Sequence, residues 1–372
     1  MLSDPPGIVA RDAAGGPSPV RAGPAAPVHV PTMQDIARAS GVSQSTVSRV
    51  LAGTPTIVPI NQTTRERVLA VARQMRYRPN PLARGLRGAR TMLLGVIVRE
   101  ITDPFFAGAV DAVSSEATKR GYNVVLGHAH GRADEAIAVR AVLETRHCDA
   151  ILLLGDTSDQ RRFMEDLRAA NLRVVGMWQG NPSMPGLFTV TVDNVSGIRD
   201  LMAHLLGLGH RRVAFIGGTF WEGRELLDIV ERRAAFLDRM AEAGLKVPDE
   251  YVCDARNDLN GGAEALEYLM QLRVRPTAVV ASTDVLAIGA LHAAGNLGLN
   301  IPADLSIVGF DDLPMAEYTN PALTTVRMPM AEMAAVGVGA AIDTESAAET
   351  PAVQVLAPTM VLRDSSGPPP AE

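Results

Sequence analysis

Residues 32–53 read TMQDIARASGVSQSTVSRVLAG. Thr32 and Asp35 stand three apart, the spacing of a capping box that satisfies the unpaired N–H groups of a first helical turn. A short helix follows, with Ile36, Ala37 and Ala39 as its apolar residues. Gly41 breaks it, because glycine enters the left-handed turn region without steric cost. Ser43 is suited to cap the next helix, Gln44 to Leu51. There Val47, Val50 and Leu51 fall at i, i+3 and i+4 and so share a face. The opposite face offers Gln44, Ser45, Ser48 and Arg49. A third helix, about Thr64–Met75 and capped by Asn61 or Thr63, packs through Val68, Leu69, Val71, Ala72 and Met75. Two short helices joined by a glycine turn, with a third in support, make a helix-turn-helix. In that motif the early residues of the second helix reach base edges in the major groove.

Charge agrees with this once it is read by region. Over 372 residues, 35 Lys and Arg face 41 Asp and Glu, a net −6 that taken whole argues against a nucleic-acid protein. Residues 31–90, however, carry ten arginines against Asp35 and Glu66, or +8. Residues 91–372 carry 23 basic and 37 acidic residues, or −14. A basic module fused to an acidic body points to a polyanionic partner.

Other classes fall away. The length corresponds to two or three folding units. Cys148 and Cys253 cannot build a disulfide framework and suit a reducing cytosol. No run of about 18 apolar residues exists, so no membrane span is expected. The first 30 residues lack the apolar stretch of a secretory signal and, rich in Pro, Ala and Gly, read as a disordered leader. There is no G-x-S-x-G elbow, P-loop or H-E-x-x-H. His128 and His130 have no third metal ligand nearby. Neither an enzyme, a cofactor nor a metal site is expected.

From about Met92 short β-branched runs alternate with amphipathic helical stretches. Strands are expected at Leu93–Val98, Asn123–Leu126, Ala150–Leu154, Arg173–Gly176, Arg212–Ile216, Ala278–Ala281 and Ser306–Phe310. Helices are expected at Ala107–Arg120, Val195–Leu208 and Asp284–Leu297. Such alternation implies parallel sheets built from right-handed crossover units.

The stretch quoted first, and residues 65–91 (RERVLAVARQMRYRPNPLARGLRGART), resemble the DNA-binding head and hinge of the LacI/GalR family of bacterial transcription regulators. The resemblance runs on through nearly all of 32–363. It implies an all-α helix-turn-helix head and an α/β body like a periplasmic binding protein, with two doubly wound parallel-sheet subdomains around a cleft. By that resemblance Gln44, Ser45 and Arg49 read operator bases, while Thr32, Ser43, Thr46 and Ser48 position the head on phosphates. Asn80, Ala83 and Leu86 belong to a hinge that becomes helical on DNA, Leu86 wedging into the minor groove. Gly85 weakens that hinge helix by about 1 kcal/mol, and the loop over 51–68 looks about three residues longer than usual.

In the body, Ile101–Phe106 (ITDPFF) resembles the family's loop after the first strand, at the carboxyl end of a parallel strand where such sheets bind ligands. Asp103, Phe105 and Phe106 are then effector contacts. Arg232 matches the family's ligand-binding arginine, and Thr283, Asp284 and Asp311 supply polar partners suited to a polyhydroxylated ligand. Val192–Asn194 and Gly207–Gly217 read as scaffold. Where many relatives present an aromatic this chain has Asn257; Trp178 or Trp221 could supply a stacking face. The approach to Arg232, Thr219–Val230, looks about four residues longer than usual.

The implied organisation is a leader (1–30), a head (31–79), a hinge (80–90), a body (91–363) and a disordered tail (364–372). The amino-terminal subdomain takes about 91–190 and 328–352; the carboxy-terminal one takes 191–327 and a last strand within 353–363. The expected protein is a cytoplasmic homodimeric repressor on near-palindromic double-stranded operator DNA, controlled by a small-molecule effector, a sugar or related metabolite. A solute-binding transport protein is the alternative; the +8 head and the missing signal oppose it.

Overall fold

The structure, a computed structural model, describes residues 31–52, 59–77, 90–129, 137, 139–141, 148–155, 173–178, 187–219, 226–343 and 353–371. Asn80, Ala83, Leu86, His130 and Trp221 lie outside them. The chain forms two compact units that meet in sequence between residues 80 and 81.

In the first unit, Thr32 caps α1 (Met33–Ser40). Its hydroxyl accepts the Asp35 N–H, and the Asp35 carboxylate accepts the Thr32 N–H at 2.9 Å, closing the capping box. Gly41 sits at φ 63°, ψ 35°, the left-handed geometry that turns the chain. Ser43 Oγ then accepts the Thr46 N–H at 3.2 Å at the start of α2 (Gln44–Ala52). The cap of α3 (Gln62–Gln74) is Asn61, whose Oδ1 accepts the Thr63 N–H at 3.0 Å, so the helix begins two residues before Thr64. Ile36, Ala37, Val47, Val50, Val68 and Ala72 close a small core. Leu69, expected inside, is 37% exposed, because it lies one position round the helix from buried Val68.

The second unit contains two parallel sheets. The first, in order β11-β5-β4-β3-β1-β2, comprises β1 (Leu93–Val98), β2 (Asn123–His128), β3 (Ala150–Leu154), β4 (Arg173–Met177), β5 (Phe188–Val192) and β11 (Val353–Leu356). The second, in order β7-β6-β8-β9, comprises β6 (Val213–Thr219), β7 (Val252–Arg256), β8 (Ala278–Ala281) and β9 (Ser306–Val308). Helices α4 (Pro104–Lys119), α5 (Asn194–Gly207), α6 (Leu227–Glu242), α7 (Leu259–Gln271), α8 (Asp284–Asn296) and α9 (Met330–Ile342) connect them. Helix α9 packs on β3, β4 and β5. A two-stranded antiparallel ladder pairs β10 (Thr325–Arg327) with β12 (Thr359–Val361). The run AILLL of β3 is buried throughout, as a strand covered on both faces must be.

Three expectations are corrected. First, Val353–Leu356 does not belong with the carboxy-terminal subdomain. It lies parallel to β5 in the first sheet, Val353 opposite Thr189 and Leu356 opposite Val192, and only Thr359–Val361 pairs with β10. Second, β5 and β7 were not expected: two of the five residues of FTVTV are threonine, and VCDAR is a polar strand at a sheet edge. Third, the tail is ordered through residue 371. Ser365 is fully buried, its Oγ donating to the Ile307 carbonyl and accepting the Thr324 N–H at 2.8 Å. The Ile307 N–H donates to the Ser365 carbonyl at 2.9 Å, and the Gly367 carbonyl lies 2.8 Å from His210 Nε2. The tail expected to be disordered over 364–372 is instead docked, through polar groups that Ser365 and the Gly367 carbonyl supply.

Among the described residues no helix is long and apolar enough to cross a membrane.

Candidate functional site

The head presents one polar surface. Gln44, Ser45 and Arg49 are exposed on α2, opposite buried Val47 and Val50. Ser43 Oγ lies 2.8 Å from both Ser45 Oγ and Thr46 Oγ1, so three hydroxyls gather at the amino end of that helix. Backbone N–H groups and the helix dipole favour an anion there. Thr32, whose hydroxyl donates to Asp35 at 2.7 Å, holds the start of α1.

The second unit gathers polar side chains at the carboxyl ends of its strands, where open α/β sheets bind ligands. After β1, Asp103 caps α4 by accepting the Phe105 N–H at 3.0 Å, with Pro104 at the first helical position. Phe105 meets Phe106 and Trp178 edge-on, at 5.2 and 6.1 Å between ring centroids. After β8, the Thr283 hydroxyl accepts the Leu286 N–H at 3.4 Å, capping α8, and donates to Asn257 Oδ1 at 2.8 Å. Asn257, after β7, donates from Nδ2 to Asp103 Oδ2 at 3.2 Å. That bond joins the loop after the first sheet's β1 to the loop after the second sheet's β7.

Arg232 on α6 is the buried centre of the site. Its Nε donates to Asn194 Oδ1 at 2.9 Å, and its Nη1 donates to the Ser282 carbonyl at 2.6 Å and to Asp311 Oδ1 at 3.5 Å. The guanidinium lies 3.8 Å from the Phe310 ring centroid, a cation–π contact. Asp311 holds φ 124°, a region that L-residues rarely adopt. Such strain costs of order 1–3 kcal/mol and persists only where the surroundings over-determine it. Burial pushes the Asp311 carboxyl well above the usual carboxylate range, with Arg232 opposing the rise. Burial also raises Asp103, opposed by the Phe105 N–H and Arg99.

Two neighbouring compartments result, which share wall residues. An inner chamber of about 20 Å³ is bounded by Asp103, Phe105, Phe106, Arg232, Thr283 and Asp311, six of the seven expected effector contacts. An outer compartment of about 830 Å³ shares Asp103 and Asn257 with it and adds apolar walls from Pro104, Leu259, Val285, Ile288 and Met315. The seventh, Asp284, is a correction. It is fully buried beneath the cleft, where its carboxylate accepts the Leu313 N–H at 2.7 Å and the Thr325 hydroxyl. It lies under Gly309, where a Cβ would come within 2.2 Å of Asp284 Oδ1. Asp284 ties α8 to the loop after β9, and burial pushes its carboxyl up to about 6. Arg99, Asn194 and Asp228 line the chamber without having been expected there. Arg99 had a readable signal, the first charge after the apolar strand LLGVIV; Asn194 belongs to a segment that reads as scaffold.

Residues 32–80 match the model for bacterial regulatory proteins of the lacI family, and residues 202–366 match a periplasmic binding protein-like domain. The chain is 33% identical over 339 residues to the HTH-type transcriptional regulator GalS of Salmonella typhimurium, covering 90% of this chain and 96% of that one. It is 32% identical over 306 residues to catabolite control protein A of Priestia megaterium, covering 82% and 90%. Among solved structures, a complex of the transcriptional regulator CelR with cellobiose is similar at 27% identity and TM-score 0.66, over 90% of this chain and 100% of that one. A lac repressor dimer on operator, at 22% identity and TM-score 0.80 over 91% and 100%, shares the fold. Head and cleft together define a ligand-responsive DNA-binding regulator. The chain belongs to the lacI family of bacterial regulatory proteins.

Proposed function

We propose that the chain is a cytoplasmic homodimeric repressor that binds a near-palindromic operator and is controlled by a sugar or related metabolite held in the cleft. The observation that supports this best is the set of six polar and aromatic side chains around one chamber at the strand ends, in a chain whose α2 exposes Gln44, Ser45 and Arg49. The cellobiose in the CelR complex supports a carbohydrate class of effector. Residues 31–79 serve as the head, 80–90 as the hinge and 91–363 as the effector-binding and dimerising body, with 1–30 as a leader. Two heads related by two-fold symmetry meet two half-sites. Effector occupancy shifts the body between two states, and its differential affinity for them sets how far operator release proceeds.

A gel shift against the DNA upstream of the gene tests the reading. The expected result is sequence-selective binding that weakens steeply with salt as phosphate counterions are released; binding indifferent to sequence would overturn it. Leu86→Ala is expected to weaken specific binding and reduce DNA bending while leaving sugar-induced thermal stabilisation unchanged. Unaltered bending would remove Leu86 from its assigned role.

A further inference from the structure

We propose that the cleft takes a polyol bearing one protonated primary amine, its ammonium head in the inner chamber beside Asp311 and Asp103 and its hydroxylated body in the outer compartment. This rests on the reading of the cleft as the effector site and names the charge its ligand carries.

Charge is the first ground. The inner chamber is bounded by two guanidiniums, Arg99 and Arg232, and three carboxylates, Asp103, Asp228 and Asp311. Both cations are engaged. Arg232 is held by Asn194, Ser282, Asp311 and Phe310. Arg99 stands 4.0 Å from Asp228 and 4.8 Å from the Phe106 ring centroid. Asp311 is paired with Arg232 and Asp228 with Arg99. That leaves the half-buried Asp103 as the chamber carboxylate with no ion pair among the described residues, held only by the Phe105 N–H and Asn257. A charge withdrawn from water is costly unless paired. Among the described residues, the Asp311 carboxylate receives one hydrogen bond, at the long limit of 3.5 Å. A phosphate or carboxylate on the ligand would add repulsion to three carboxylates; a neutral ligand would leave the excess where it is.

Size and an orphaned donor supply the second ground. A chamber of about 20 Å³ admits about one water-sized group. An ammonium head is of that size and offers three donors to a wall rich in acceptors. The outer compartment of about 830 Å³ has room for a sugar ring. The Asp103–Asn257 bond lies between the two spaces, so the ligand's own donor replaces Asn257 on Asp103. Trp178, 4% exposed and lining the chamber, has an indole N–H with no hydrogen-bond partner among the described residues. It calls for an acceptor, which a hydroxyl or ether oxygen next to the amine supplies. The raised Asp311 and Asp103 carboxyls agree, since each would hold its charge more readily with a cation in the chamber.

The test is calorimetric titration of the full-length protein at low ionic strength with glucosamine, galactosamine and mannosamine. Each is set beside its hydroxyl parent, its N-acetyl derivative and its 6-phosphate. At least one amine is expected to bind about tenfold or more tighter than all three of its counterparts, the preference shrinking with added salt. Asp311→Asn is expected to reduce that preference to about threefold or less; Asp103→Asn replaces it if the first variant does not fold. Failure of every amine to bind, or tighter binding of a parent, N-acetyl derivative or phosphate, would overturn the proposal. Operator binding by the same preparation is scored separately. Intact operator binding with the wrong sugar ranking removes only the amine, whereas loss of operator selectivity removes the regulator reading itself.

Discussion

Replacing Arg232 with alanine is expected to lower folding stability by about 3–5 kcal/mol, because it strands Asp311 as an unpaired buried carboxylate. The two side chains are 3% and 4% exposed, so solvent screening does not soften the loss. The arginine stem and its contact with Phe310 go as well. The sign with pH follows from Asp311, whose folded carboxyl already lies above its ordinary value and rises further once Arg232 is gone. A raised acid contributes stability that is present below its unfolded value and lost as pH climbs through its folded one. The deficit is therefore largest at high pH and shrinks on acidification. Urea midpoints across pH 5–8 measure it, and adding Asp311→Asn to Arg232→Ala should recover part of the loss. A cost under about 1 kcal/mol would mean the pair is not buried as described.

Ending the chain at Asp364 is expected to cost about 4 kcal/mol, at roughly 1 kcal/mol for each of four hydrogen bonds lost. The bonds concerned are Ile307 N–H to the Ser365 carbonyl, Ser365 Oγ to the Ile307 carbonyl, Thr324 N–H to Ser365 Oγ and His210 to the Gly367 carbonyl. The truncation also changes the acid response. Burial holds the His210 and His204 imidazoles below their ordinary value. Below about pH 6.5 the unfolded chain gains protons that the folded one resists, so their contribution is present above that pH and lost beneath it. Uncovering the rings returns them towards the ordinary value, and the fall in stability between pH 7 and 5 should flatten. Asp284, pushed up to about 6, acts in the opposite sense in both proteins and cancels from the comparison. Thermal melts of the two chains across that window check it; parallel curves would remove the histidines from the account.

The elements that could be read before the fold were those with strong local chemistry. The Thr32 capping box, Gly41 and the i, i+3, i+4 apolar set of α2 are short-range features, and they stand as expected. The runs of β1, β3 and β8 are apolar on both faces and end where expected. What escaped depends on distant partners. Val353–Leu356 can be read as a strand, but only the register against Thr189–Val192 decides which sheet receives it. Thr283 and Asp284 are adjacent at a strand end, and nothing local says that one faces the chamber while the other bonds Leu313 beneath it. The serine–proline tail has no apolar pattern, so its docking was invisible until Ile307, Thr324 and His210 stood around it.

The docked tail has a practical consequence for handling the molecule. Strand β9 is the last of its sheet, and Ile307 would otherwise offer bare N–H and C=O groups to any passing chain. Uncovered edges of that kind template pairing with other chains and seed aggregation. Residues 365–367 act as a built-in selvedge on that side, so a purification tag added after Glu372 leaves it intact. Trimming by a carboxypeptidase, or a fusion joined at Arg363, would unravel it and turn a well-behaved regulator sticky.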